Sequence, residues 1–410
     1  MNNIDNIIQS SKGDLISIFE GIDSISEENT LRVMSAFSEF RVSDAMFAPT
    51  SGYGYNDRGR EVLDQVWAKV FGTESAIVRH SIASGTHAIA VGLFALLRPG
   101  DTMLCVSGTP YDTLAATIGV NKPSPSSLLA HGVNYQQIEL TADNDFDYGA
   151  IEVALQNKPA MVYVQRSGGY SPRTALSCEK INKLTAFVRQ RCSAYVVVDN
   201  CYGEFAETTE PTADLLIGSL IKNPGGGMAE SGGYLCGSQK AVDLCAERLT
   251  APGVGGEIGA SLGQNKSLFR GLFYAPHTTA QAMKTAVFAA YLFEKLGYGT
   301  APRYKDTRHD IVQQVHLGNA EKLLAFCSGL QAASPIDSHV TPIPWDMPGY
   351  DHQVVMAAGA FVSGASIELS ADAPMREPFT VFMQGGLTYE SGKLGIISAA
   401  KAVLESPLTS

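Results

Sequence analysis

Apolar residues recur at helical spacing early in the chain, at Leu15, Ile18, Phe19 and Ile22, then at three-residue steps at Leu31, Met34, Phe37 and Phe40. That period predicts an N-terminal helical arm over residues 1–50. After the turn-rich stretch Pro49-Thr50-Ser51-Gly52-Tyr53-Gly54-Tyr55, short β-branched runs alternate with amphipathic stretches. Strands are predicted at 76–78, 102–106, 133–140, 160–165 and 195–199, and helices over 85–97 and 177–191. Apolar strands separated by helices predict an α/β unit whose mostly parallel central sheet is covered on both faces. Gly232-Gly233-Tyr234-Leu235-Cys236-Gly237 reads as a further strand edging that sheet. A helix over 278–296 leads to Gly297-Tyr298-Gly299, where a boundary is expected. The large domain is then 51–296 and a smaller α+β C-terminal domain 297–410, with helices over 310–328 and 392–404 and extended segments over 353–361 and 366–369.

Composition narrows the function classes. The 410 residues are 45% apolar and 17% charged, as in a compact metabolic enzyme rather than a disordered or fibrous chain. A net charge of −11 argues against nonspecific binding to nucleic acid or an anionic membrane, so an anionic ligand needs a local positive pocket. Gly, Pro or charge interrupts every apolar stretch short of a membrane span. The start, Met-Asn-Asn-Ile-Asp-Asn, lacks the basic and apolar regions of a signal peptide, and the expected location is cytoplasmic. The seven cysteines show no CxxC or zinc-ligand spacing and read as reduced, packed thiols; no metal site is expected.

The candidate chemistry sits at strand ends. The run Ala194-Tyr195-Val196-Val197-Val198 ends in Asp199, and Lys222 follows in the small-residue stretch Ser219-Leu220-Ile221-Lys222-Asn223-Pro224-Gly225-Gly226-Gly227. A carboxylate at a strand end and a lysine in such a loop are what pyridoxal phosphate needs: the amine forms an imine with the aldehyde, and the acid keeps the pyridine nitrogen protonated. Ser84-Gly85-Thr86-His87 follows a strand and opens a helix, offering free N–H groups to a phosphate. Gly85 and Thr86 are the phosphate candidates there, whereas His87 reads as structural. Ser219, three residues before the lysine, can bring a hydroxyl to the same phosphate. Tyr111, just past the strand ending near Ser107, can stack on a flat heterocycle. In open α/β sheets ligands bind beyond the carboxyl ends of the strands, and Gly85, Tyr111, Asp199 and Lys222 all fall there. Arg376, in Ala373-Pro374-Met375-Arg376-Glu377-Pro378, has the planar fork that suits a substrate α-carboxylate, or an ion pair with an acid such as Glu377. Ser84-Gly85-Thr86 is not GxGxxG, which argues against a nucleotide-dependent oxidoreductase.

With these residues assembled, the chain resembles the fold-type-I pyridoxal phosphate enzymes of cysteine and methionine metabolism. More narrowly it resembles methionine γ-lyase-like proteins described as cystathionine β-lyases involved in aluminium resistance. The resemblance is carried by Gly52-Tyr53-Gly54-Tyr55-Asn56-Asp57, Ser84-Gly85-Thr86-His87-Ala88, Val198-Asp199-Asn200-Cys201-Tyr202-Gly203-Glu204-Phe205, and Ser219-Leu220-Ile221-Lys222-Asn223-Pro224-Gly225-Gly226. Gly271-Leu272-Phe273-Tyr274-Ala275-Pro276-His277 and Gln384-Gly385-Gly386-Leu387-Thr388-Tyr389 complete it.

The resemblance implies that Lys222 is the Schiff-base lysine, Asp199 the pyridinium partner and Tyr111 the stacking ring. It implies that Gly85, Thr86 and Ser219 hold the phosphate and Arg376 the substrate carboxylate. A tyrosine and an arginine ahead of the first large-domain helix are implied to reach the neighbouring subunit's phosphate. Tyr55 and Arg58 match best, with Tyr53 and Arg60 as rivals. A homodimer is then the minimum active unit, commonly paired into a homotetramer. The implied activity is carbon–sulfur lysis of an amino acid to ammonia, a 2-oxo acid and a thiol, with Lys222 removing the Cα proton and Tyr111 or Tyr55 protonating the leaving sulfur. Aldol cleavage or transamination on the same fold, or a non-catalytic pyridoxal phosphate-binding role, are the alternatives. The chain departs from the better-known lyases at Ile221, where they carry a hydroxyl residue, at Cys201, where they carry threonine, and at Glu377-Pro378-Phe379, where they carry Ser-Leu-Gly.

Overall fold

The computed structural model describes residues 3–121, 124–347 and 352–406; the outermost residues of the expected arm and C-terminal domain lie outside that range. Seven strands form the main sheet: β1 (Ser75–Arg79), β2 (Thr102–Cys105), β3 (Asn134–Gln137), β4 (Met161–Gln165), β5 (Tyr195–Asp199), β6 (Leu215–Ser219) and β7 (Gly233–Gly237). Their order is β1-β7-β6-β5-β4-β2-β3. β7 runs antiparallel to both neighbours and the other pairings are parallel. The strand expected at the edge is therefore an inner one, with β1 outside it. Its run Tyr234-Leu235-Cys236 is buried throughout, as an inner strand requires.

Both faces of this sheet are apolar. Val196 and Val198 pack in one cluster with Trp67, Phe71 and Tyr234, while Val197 points to the other with Ile217 and the helix Gly85–Leu96. That helix lies so close that a Cβ at Gly92 would sit 2.6 Å from Ile217 Cδ1. Strand β6 and the helix Arg58–Phe71 were not singled out in the sequence.

Two helices, Asn3–Asp14 and Ile16–Glu39, form the arm. The second is fastened to the body where Asn29 donates to the carbonyls of Phe205 and Glu207. Its buried stripe is Asn29, Val33 and Ala36, whereas Leu31 and Met34 face outward. The expected 278–296 helix begins earlier, spanning Asn265–Lys295 with Pro276 inside it.

Beyond it lies a second sheet of five antiparallel strands: β8 (Gly299–Ala301), β9 (Gln313–His316), β10 (Val354–Ala357), β11 (Ser370–Pro374) and β12 (Thr380–Gln384), in the order β10-β11-β12-β9-β8. The helix expected over 310–328 is corrected: its first part is β9, and the helix runs Ala320–Ala332. Gly318 takes a φ of 82° and Asn319 caps the following N-terminus, accepting from the Lys322 N–H, so one element stops and another starts there. One sheet face (Ala371, Ala373, Val381, Met383) packs on the helices Ala320–Ala332 and Tyr389–Glu405. The other carries Gln314, Ser370, Asp372 and Gln384, all buried. No helix among the described residues is long and apolar enough to cross a membrane.

Candidate active site

The carboxyl ends of β4, β5 and β6 open into a cavity of about 230 Å³ that the polar face of the second sheet closes from the opposite side. Gly85, Thr86, Tyr111, Asp199, Ser219 and Lys222 all line it.

Asp199 is the last residue of β5 and is buried, accepting from the Cys201 N–H at 3.1 Å. Burial pushes its carboxyl above the usual range, against the opposing pull of Cys201, Lys222 and Arg173. Lys222 follows β6 and is fixed by the turn behind it. Asn223 donates to the carbonyls of Tyr202 and Glu204 at 2.8 and 2.9 Å. A Cβ at Gly225 would fall 1.6 Å from the Leu220 carbonyl oxygen, so only glycine fits. Lys222 Nζ sits 3.5 Å from the Tyr202 ring centroid, a close cation–π contact. Burial works to lower the lysine's pKa, but Tyr202, Cys201 and Asp199 outweigh it and hold the amine charged. Burial pushes the Tyr202 hydroxyl up to about 12 against the pull of Lys222. Tyr202 holds a φ of 71°, left-handed for a bulky residue, and such strain concentrates at functional positions.

At the other end of the cavity the helix Gly85–Leu96 begins. Ser84 is its N-cap, accepting from the His87 N–H, and His87 Nδ1 accepts from Ala83 N–H at 3.0 Å, the structural role its position suggests. Ser219 Oγ faces this terminus, buried and without a hydrogen-bond partner. A Cβ at Gly85 would lie 3.3 Å from Ser219 Cβ and 3.5 Å from Cys201 Sγ, so the glycine keeps the pocket open. Thr86 Oγ1 lies 2.9 Å from Thr113 Oγ1. Tyr111 is positioned through its backbone, donating to Gln165 Oε1 at 2.7 Å, and its ring meets Tyr170 edge-on.

Three sequence candidates stand apart from the cavity. Tyr55 is 60% exposed and stacks on Tyr53; Arg58 is exposed at the start of its helix. The rival Arg60 is buried and spent on the carbonyls of Gly54, Gly259 and Glu257, which removes it as a mobile phosphate ligand. Arg376 is exposed beyond β11, with Nη2 3.4 Å from the carbonyl of Tyr170, a lining residue. The cavity also recruits Gln165, Tyr170, Tyr202, Asp372 and Gln384, which were not singled out. Gln165 ends β4 and obeys the strand-end rule; the two C-terminal residues lie on strands whose pairing no local signal shows.

The methionine gamma-lyase family profile matches residues 4–404. The chain belongs to that family. It is 46% identical over 402 residues to the uncharacterized protein YnbB of Bacillus subtilis (strain 168), covering 97% of this chain and 96% of that one. The solved structure of a carbon-sulfur lyase involved in aluminum resistance from Clostridium novyi NT is 45% identical, with a TM-score of 0.93 over 97% of this chain and 95% of that one. Cystathionine gamma synthase from Xanthomonas oryzae pv. oryzae shares the fold at 15% identity, with a TM-score of 0.60 over 87% and 92% of the two chains. The solved structure from Clostridium novyi NT thus shares this architecture over nearly the whole chain.

Proposed function

We propose that the chain is a pyridoxal phosphate-dependent carbon–sulfur lyase acting on a sulfur-containing amino acid. The observation that carries this is one cavity holding a strand-end carboxylate, a buried amine and an unpaired buried hydroxyl beside a helix N-terminus. The residues fit the cofactor at three separate groups: Ser219, Gly85 and Thr86 for the phosphate, Asp199 for the ring nitrogen, Lys222 for the aldehyde. Tyr111 offers a ring for stacking. Ile221 lines the cavity where related lyases have a hydroxyl, which leaves Ser219 to supply the one from this turn.

When bound, pyridoxal phosphate withdraws electrons and so stabilises negative charge at the substrate Cα. Asp199 holds the proton on the ring nitrogen that this withdrawal needs. Lys222 Nζ would take the Cα proton, a role that requires its amine in the neutral form. The C–S bond then breaks with its electron pair leaving on sulfur, and Tyr111 or Tyr55 returns a proton to the thiolate. Addition of water completes the balance to ammonia, a 2-oxo acid and a thiol. Arg376 would take the substrate carboxylate by swinging from the Tyr170 carbonyl. Tyr55 and Arg58 would serve the neighbouring subunit's phosphate in a homodimer or homotetramer. Exposed Leu31, Met34, Phe273 and Tyr274 supply apolar surface for such an assembly. The expected arm, large domain and small domain, and a cytoplasmic location, belong to the same reading.

Lys222→Ala should abolish the visible absorbance of lysine-bound cofactor and lower lyase turnover by at least about 1,000-fold. Wild-type protein incubated with cystathionine, cysteine, homocysteine or methionine should release 2-oxo acid and thiol without an amino acceptor. Turnover that needs an acceptor would replace lysis with transamination, and full turnover in Lys222→Ala would remove the assignment.

A further inference from the structure

The cavity has an acid the proposed lysis does not use. Asp372 projects from β11 on the polar face of the second sheet, opposite Phe382 of β12, and both line the cavity. It is 5% exposed, its Oδ1 accepts no hydrogen bond, and no ion pair within 4 Å holds it among the described residues. Strand alternation turns Ala371 and Ala373 into the apolar core and leaves Asp372 facing the site, so its register is fixed by packing on both sides. A buried carboxyl with one oxygen unbonded, only partly compensated by Tyr170, Lys222 and Gln384, is costly, and functional sites are where proteins retain one.

The charges around it point to a ligand. Among the described residues that line the cavity, Asp199 and Asp372 are the acids, Lys222 is the sole base and no guanidinium is present. Lys222 acts electrostatically on Asp372 from the far side of the cavity. Under the functional reading, on which this inference rests, Lys222 is tied to the cofactor, and its amine is no longer free to compensate Asp372.

We propose that Asp372 is a substrate-positioning residue that receives the α-ammonium group of the incoming amino acid and holds it beside Lys222. The ammonium takes the place of the free Lys222 amine as a partner for the carboxylate. It donates to the Oδ1 that lacks a partner, and it stands next to the amine it must displace. Amino acids are thereby favoured over carboxylates of the same shape. Arg376 and Asp372 lie four residues apart on β11 and the turn after it, so one segment presents a cation for the carboxylate and an anion for the ammonium.

Several groups act on Asp372: Lys222 and Tyr202 from the turns after β6 and β5, Tyr170 from the loop after β4, Gln384 on β12, and Cys327 on the helix Ala320–Ala332. Burial pushes the carboxyl up to about 6, against the pull of Tyr170, Lys222 and Gln384. Tyr202 is pushed up to about 12, and the Lys222 amine and the Cys327 thiol are also raised, so Asp372 titrates nearest neutrality in this set.

The test compares wild type, Asp372→Asn and Asp372→Glu loaded with pyridoxal phosphate, with binding of L-alanine and of propionate read by calorimetry. L-Alanine should bind Asp372→Asn roughly 10- to 100-fold more weakly, the loss of one charge-assisted hydrogen bond, while propionate changes less than about twofold. Wild-type affinity for L-alanine should fall as the pH drops through the Asp372 titration, and that step should vanish in Asp372→Asn. Asp372→Glu keeps the charge and should recover most of the affinity, which separates charge from packing. Equal L-alanine binding by loaded wild type and Asp372→Asn, or equal losses for L-alanine and propionate, overturns the assignment. A wild type that takes up no pyridoxal phosphate defeats the functional reading instead, and the Asp372 assignment falls with it.

Discussion

In the seven-stranded sheet, Val196 and Val198 of β5 face one apolar cluster and Val197 faces another, so alternation along the strand carries no polar signal. In the five-stranded sheet, alternation along β11 and β12 separates Ala371, Ala373, Val381 and Met383 from Ser370, Asp372 and Gln384, yet the polar set is as buried as the apolar one. A strand that alternates normally turns its polar side to water. Here that side is turned to a cavity. The first sheet supplies rigidity and strand ends, the second supplies polar groups at fixed register, and the site forms where they meet. The unequal cost of burial on the two sheets teaches which one serves as scaffold and which as wall.

The comparison breaks most visibly in the scaffold. Val197→Asn puts an amide with no partner between two apolar layers and should cost about 3 to 5 kcal/mol in denaturant unfolding. A cost below about 1 kcal/mol would mean that the two clusters do not close over β5.

On the wall the same kind of change should act the other way. The Asp372 carboxyl, at about 6 in the folded chain against 3.8 ordinarily, favours its protonated form when folded. The folded state therefore binds more protons than the unfolded one between those values, and wild-type stability falls as pH rises through that window. Asp372→Asn removes the dependence. It should match wild type near pH 4 and exceed it above pH 7 by about 2 to 3 kcal/mol, read as the difference in urea midpoints of the cofactor-free proteins. A variant less stable than wild type at pH 8 would show that Asp372 holds the fold together rather than the site.

The same contrast explains what could be read from the chain alone. Runs such as Tyr195-Val196-Val197-Val198-Asp199 are apolar because both faces are buried, so the strand and the cavity-lining carboxylate at its end were visible together. Gly85 and Lys222 were legible as positions beside a cavity because each follows a strand of the main sheet. Asp372 and Gln384 were not, because their place depends on pairing between strands distant in sequence, and a buried polar face reads locally as a solvated one. The segment 310–328 was misread as helix for a related reason: β9 passes almost directly into a capped helix, with only Leu317, Gly318 and Asn319 between. Leu31 and Met34 marked a helix that is there, yet both are exposed, since apolar periodicity marks surface to be covered without saying whether the same chain covers it.

The smallest effect concerns the seam between the sheets. Ser219 ends β6, and its hydroxyl is buried with nothing to bond, a state that costs the empty protein free energy. Removing it should leave the cofactor-free chain as stable as before or steadier by up to about 1 kcal/mol, because an unmade hydrogen bond is not lost. The loaded protein should behave differently. If the hydroxyl donates to the phosphate, Ser219→Ala should weaken pyridoxal phosphate retention by roughly tenfold, the worth of one hydrogen bond to a charged acceptor, in equilibrium dialysis. Ser370→Ala on the second sheet is the control: it removes an acceptor from Gln384 Nε2 at 2.9 Å, away from the helix terminus, and should leave retention unchanged. Equal retention in the two variants would detach Ser219 from the phosphate and leave Gly85, Thr86 and the free N–H groups of their helix to hold that anion.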